Sequence, residues 1–314
     1  MGRWTRPDVL LVATDLSDLG RLMPFALEQA AETGAHLILL HVAASAAVMS
    51  ADAAGIPYFD ADAALNAATM TLEPWCRLAY NQGTSCDAVV REGNAAQQIV
   101  NALSQFQVDR VLLGTRSRSK LSKLFLGSVA EHVLRTANLP VITVGPEAHL
   151  PTRSEDGDSQ RTVLYATTLK DTSRPSAALA CSIAASQSAK LVLLHVLPPA
   201  VEMERHGLPT GLDSTALHEL RILASQTSSG CCVETEPQVV HGDPSIEILA
   251  EASEIRASLI VLGASPRAAF ENLTRERTIY RILAHARCPV LTLREPPAAS
   301  AADPASKGRV ATHP

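Results

Sequence analysis

Apolar and polar positions along the chain fall into short aliphatic runs separated by helical patterns. Val9 to Thr14 is a β-branched and aliphatic run, and the turn-forming Asp15-Leu16-Ser17-Asp18 follows it. A helical pattern then extends from Leu19 to Thr33. Gly34 closes it, because glycine reaches the left-handed conformation that ends a helix at little cost. Leu37 to Val42 is the next apolar run. Strand, helix, strand is the unit of a parallel sheet, since parallel neighbours need a crossover connection. The same reading predicts a third strand at Cys86 to Arg91, a fourth at Val108 to Gly114 and a fifth at Val141 to Val144. Helices are expected from about Ala95 to Phe106 and from Gly127 to Thr136.

The pattern then starts again. Thr162 to Thr167 resembles Val9 to Thr14, Leu191 to Val196 (LVLLHV) resembles Leu37 to Val42 (LILLHV), and Leu259 to Gly263 resembles the run ending at Gly114. Self-similarity of this kind marks an internal duplication. It divides the chain into a first domain at 1–146, a linker at 147–160 rich in Ser, Asp and Glu without apolar period, a second domain at 161–294 and a tail at 295–314. The tail has too little apolar content to pack and is expected to be disordered.

Composition changes this picture little. A chain of 314 residues, 46% hydrophobic, suffices for two domains that each bury a core. The formal charge of −5 is spread without a long basic or acidic block, which argues against nucleic acid and anionic membrane as partners. No apolar stretch reaches membrane-spanning length, no signal peptide precedes the first strand, and the cysteines show no CxxC or zinc-ligand spacing. The expectation is a cytoplasmic protein with reduced thiols and no metal site.

The informative stretch is Gly114-Thr115-Arg116-Ser117, then nine residues, then Gly127-Ser128-Val129-Ala130. It begins where a strand ends and finishes where a helix begins, so backbone N–H groups and the helix dipole can face an anion. Ser128 adds a hydroxyl donor. Arg116, Arg118, Lys120 and Lys123 put positive charge on the loop, although for Arg118 and Lys120 a solvated surface is the better reading. The stretch lacks the Gly-Lys-Ser/Thr ending of a Walker A loop, and no GxGxxG follows the first strand.

This loop resembles that of the universal stress protein family, in its tandem, ATP-binding form. The family's pattern of Gly, two residues, Gly, nine residues, Gly-Ser/Thr is matched at Gly114, Gly127 and Ser128, with Ser117 at the second glycine. The likeness extends from the strand before Asp15 through Leu-Leu-His41-Val42 to Leu139-Pro140-Val141. It implies an α/β chain of two Rossmann-like domains, akin to adenine nucleotide alpha hydrolases. Each would hold a five-stranded parallel sheet of order 3-2-1-4-5 between helices. In such sheets ligands sit beyond the carboxyl ends of the strands where the order reverses, between strands one and four. By resemblance Ala13, Asp15 and the backbone at Val42 hold the nucleoside of ATP, accompanied or not by Mg2+. Gly114, Arg116, Ser117, Gly127, Ser128 and Val129 surround its phosphates. For Asp15 a rival role is open, as a cap of the following helix.

The duplication supplies an internal control. His41 recurs as His195 and Gly93 as Gly242, so these belong to the scaffold, the glycines to a turn with positive φ. Thr168 stands in place of Asp15, Pro266 in place of Ser117, and Glu276-Arg277 in place of Gly127-Ser128. The second domain is therefore expected to lack a triphosphate site. With no catalytic set of side chains in view, the function implied is a regulator in stress response whose nucleotide occupancy alters its conformation or its binding of a protein partner. A nucleotide-free scaffold and a slow ATPase remain alternatives. By resemblance the halves form an intramolecular pseudo-dimer through Val141 to Val144 and Val290 to Leu293, with a homodimer of whole chains also open.

Overall fold

A computed structural model describes residues 2–44, 61–115, 126–149, 160–169, 175–199, 211–228, 232–264 and 273–294. In chain order the first half carries α1 (Gly2–Thr5), β1 (Val9–Thr14), α2 (Leu19–Thr33), β2 (His36–Ala43), α3 (Ala61–Asn81), β3 (Cys86–Glu92), α4 (Ala95–Gln105), β4 (Arg110–Gly114), α5 (Ser128–Thr136) and β5 (Val141–Val144). The second half repeats the plan with β6 (Thr162–Ala166), α6 (Pro175–Ser186), β7 (Lys190–Leu197), α7 (Leu212–Ser228), β8 (Thr235–His241), α8 (Pro244–Glu254), β9 (Leu259–Ala264), α9 (Leu273–His285) and β10 (Val290–Arg294).

Alternation along the strands decides the layering. In β1, Leu10 and Val12 join one buried cluster with α2, α3, α6 and α7, while Leu11 and Ala13 join the other with α4, α5, α8 and α9. A strand buried on both faces is what a parallel sheet between helices requires. In α2, Leu19, Leu22, Met23, Ala26 and Ala30 repeat at helical spacing and are buried, and Gly34 ends the helix at φ 77°, its N–H donating to the Ala30 carbonyl.

Each half has strand order 3-2-1-4-5, all parallel, and β5 pairs with β10 antiparallel. Val290 lies opposite Thr143, Leu291 opposite Ile142 and Thr292 opposite Val141, so the two sheets are one of ten strands. Without this pairing both halves would present an open, apolar edge strand, the kind of edge that recruits another chain. The halves also meet through charge: Arg161 pairs with Glu28 and Glu32, and Gln187 Nε2 donates to Glu32 Oε2 at 3.1 Å. Burial pushes the Glu32 carboxyl above its ordinary range. Arg110, fully buried beneath the sheet, donates to Gln29 Oε1 at 2.6 Å and to the Trp4 carbonyl at 2.9 Å, and burial lowers its pKa to about 10. The expected linker lies largely, and the expected tail 295–314 entirely, outside the described residues.

Candidate functional site

Where the strand order reverses in the first half, the carboxyl ends of β1, β2 and β4 face the start of α5 across one cleft. Its volume is about 260 Å³. β1 contributes Ala13 and Thr14, the turn after it Asp15 and Asp18, β2 contributes His41 and Val42, β4 and its end contribute Gly114 and Thr115, and α5 contributes Ser128, Val129 and Ala130 behind Gly127. Of the residues singled out from sequence, Ala13, Asp15, Val42, Gly114, Gly127, Ser128 and Val129 all line this cleft. Arg116 and Ser117, with Arg118, Lys120 and Lys123, lie outside the described residues.

Local chemistry explains why the chain turns here. The Thr14 hydroxyl accepts the Leu16 N–H at 2.9 Å, which supports Leu16 at φ 72°. Asp15 Oδ1 accepts both the backbone N–H (2.9 Å) and the hydroxyl (2.6 Å) of Ser17. Short polar side chains that bond two residues ahead form turns in this way. The N-cap position of α2 is held by Asp18, whose side chain makes no cap hydrogen bond, and the Asp15 carboxylate is bonded to Ser17 within the turn. Gly127 caps α5 with φ −61° and ψ 142°, its N–H held by the Thr115 carbonyl at 2.8 Å. The amides of Ser128, Val129 and Ala130 behind it belong to a first helical turn and have no carbonyl of their own helix to bond, which makes them donors for an anion. Glycine at 114 leaves room for the Asp18 carboxylate, which an added Cβ would have to displace.

Asp18 and Thr115 were not among the residues expected at the site. Asp18 is 7% exposed, and the Thr14 hydroxyl donates to its Oδ1 at 2.5 Å. Burial raises its carboxyl above the ordinary 3.8, the Thr14 hydrogen bond pulls it back, the Asp15 charge raises it and Arg21 lowers it. Thr115 is 2% exposed, and among the described residues its Oγ1 has no hydrogen-bond partner. Because the folded chain holds the Asp18 proton more tightly than the unfolded one, ionisation costs stability: the handicap is absent well below 3.8 and complete above the raised native value. Asp18→Asn should therefore raise Tm at pH 7 by roughly a few degrees, with the gain shrinking as the pH falls toward 3.8. Paired thermal melts across this range check it, and an equal gain at every pH would rule out the ionisation as cause.

The second half keeps the scaffold. Thr167 Oγ1 accepts the Leu169 N–H, and His195 Nδ1 meets the Thr167 carbonyl at 2.8 Å as His41 Nδ1 meets that of Thr14 at 2.9 Å. Gly93 and Gly242 both have positive φ and donate to the ends of β2 and β7, at Ala43 and Leu197. The difference lies at the helix start. The C-terminal caps Ala137 and Ala286 correspond, each donating to the residue four positions earlier. Glu276 and Arg277 thus match Gly127 and Ser128, yet α9 already begins at Leu273. Pro266 lies outside the described residues.

An open parallel sheet built twice and joined edge to edge, with a cleft at the topological switch point of the first half, defines a tandem doubly wound α/β protein. The sequence profile of the universal stress protein family matches residues 8–145 and again 160–294, and the chain belongs to that family. Universal stress protein YxiE of Bacillus subtilis (strain 168) is 28% identical over 143 residues, covering 43% of this chain and 97% of that protein. A universal stress protein from Archaeoglobus fulgidus DSM 4304 shares the fold over 93% of this chain and 97% of its own, with TM-score 0.69 and 19% identity. Protein PA1789 of Pseudomonas aeruginosa PAO1 does so over 94% and 95%, with TM-score 0.62 and 17% identity. Among the described residues no helix is long and apolar enough to cross a membrane.

Proposed function

We propose that the first half binds ATP and that occupancy of this cleft regulates the conformation of the chain or its hold on a protein partner. One observation carries the reading: three strand ends and the open amides of α5 converge on a single cleft at the switch point. In this reading Ala13, Asp15 and the backbone at Val42 hold the nucleoside. The phosphates approach Gly114, the Thr115 hydroxyl and the α5 amides from Gly127 to Val129, with Arg116 and Ser117 closing from the loop. The donor set fits an anionic tail, since it offers N–H and O–H groups at a site where glycine permits close backbone approach. The carboxylates of Asp15 and Asp18 are oxygen donors of the kind that suit Mg2+ shared with phosphates. The arrangement favours binding over turnover, because the side chains around the cleft are engaged in holding the turn: Asp15 with Ser17, Asp18 with Thr14, His41 with the Thr14 carbonyl. The two halves act as a pseudo-dimer through β5 and β10, and the site lies in one of them.

Denaturing freshly purified protein and identifying the released small molecules by mass spectrometry tests the reading. An adenine nucleotide in the supernatant is expected. A protein that releases none and also fails to take up added ATP would leave the scaffold reading in its place.

A further inference from the structure

Away from the cleft, two thiols face each other. Cys76 lies in the last part of α3 and Cys86 opens β3, the edge strand of the sheet, with the turn Gln82-Gly83-Thr84 between them. Their sulfurs are 2.8 Å apart, and both side chains are half-buried against the core cluster on which Trp75, Ala88 and Val90 also pack. Ten residues separate them in sequence, and the packing of α3 on β3 brings them together. We propose that Cys76 and Cys86 form a reversible redox site that reduces a hydroperoxide and closes as a disulfide between α3 and the sheet edge.

The chemistry balances within the pair and the peroxide. The Cys76 thiolate attacks one peroxide oxygen, the O–O bond breaks, water (or an alcohol from an organic hydroperoxide) leaves, and Cys76 becomes a sulfenic acid. The Cys86 thiol then attacks that sulfur and a second water leaves with the hydroxyl. Two thiols lose two protons and two electrons, and the peroxide takes them up. The hydrogen bond between the two thiols holds the Cys76 thiol below its ordinary range, so the proposal gives Cys76 the attacking role and Cys86 the resolving one, an order that the two serine variants test. The sulfurs need only close to about 2.05 Å. Cys181 and Cys288 are buried in the core, out of reach of a hydroperoxide. The site sits at the amino end of β3, whereas Arg91 and Glu92 at its other end lie in register with Val42 and Ala43 beside the cleft.

The test treats the full reduced chain with hydrogen peroxide, blocks the remaining thiols by alkylation and maps peptides without reduction. The expected product is an intramolecular Cys76–Cys86 link that dithiothreitol reverses, with two free thiols lost per peroxide consumed. Cys86→Ser should halt the reaction at a sulfenic acid on Cys76 that dimedone traps. Cys76→Ser should slow peroxide consumption at least ~10-fold, the direction expected when the more ionised thiol is removed. Oxidation that maps to the exposed Cys232 or to its neighbour Cys231 while Cys76 and Cys86 are recovered alkylated would overturn the proposal. Links between chains in place of the internal one would do the same.

Discussion

Gly127→Glu should abolish ATP binding while leaving the fold intact. The substitution is tolerated by the backbone, because Gly127 sits at φ −61° and ψ 142°, an extended conformation open to any residue. A carboxylate at this position also faces the positive end of the α5 dipole, which favours the helix. The same favourable contact removes the site, since the new carboxylate competes with phosphate for the amides of Ser128, Val129 and Ala130 and repels the phosphate that remains. One unit charge about 5 Å from another at an effective dielectric near 20 costs about 3 kcal/mol, more than 100-fold in Kd, before steric exclusion is counted. Calorimetry should show no saturable ATP binding by the variant and a Tm within a few degrees of the parent. Parent-like affinity would mean that phosphate does not approach the start of α5.

Much of this was legible in the sequence for definable reasons. The bounds of β1 and α2 follow from an uninterrupted aliphatic run and from buried positions at helical spacing, signals that are local. The convergence of Asp15, Val42, Gly114 and Gly127 was legible because the duplicated pattern and the family resemblance supplied the strand order, and strand order places the switch point. Three features were not. The helix α3 has Pro74 inside it and leaves Met70 and Tyr80 exposed, which blurs its apolar face. Asp18 reads as another turn residue, and only its burial against Gly114 makes it part of the cleft. Cys76 and Cys86 match no ligand or redox spacing, and it is the fold of α3 onto β3 that pairs them. The antiparallel docking of β5 on β10, which joins both sheets into one of ten strands, was legible through the family resemblance alone, since no periodicity within a strand records it.

We propose that duplication has divided the labour, with one ATP per chain held by the first half. In the second half Thr168 stands where Asp15 accepts the Ser17 donors, and threonine offers no carboxylate for a ribose or a metal ion. Pro266, in place of Ser117, has no backbone N–H to donate. The start of α9 at Leu273 matters most: positions 276 and 277 come nearly a turn after the first helical residue, so the amides that would match those of α5 are drawn into the helix, and Glu276 adds a negative charge. These differences fall on one site and need not add. Isothermal titration of the full chain with ATP and Mg2+, carried out beside the Gly127→Glu chain, decides the matter. One site per chain is expected in the parent and none in the variant, whereas two sites in the parent, or one that survives in the variant, would rule the division of labour out.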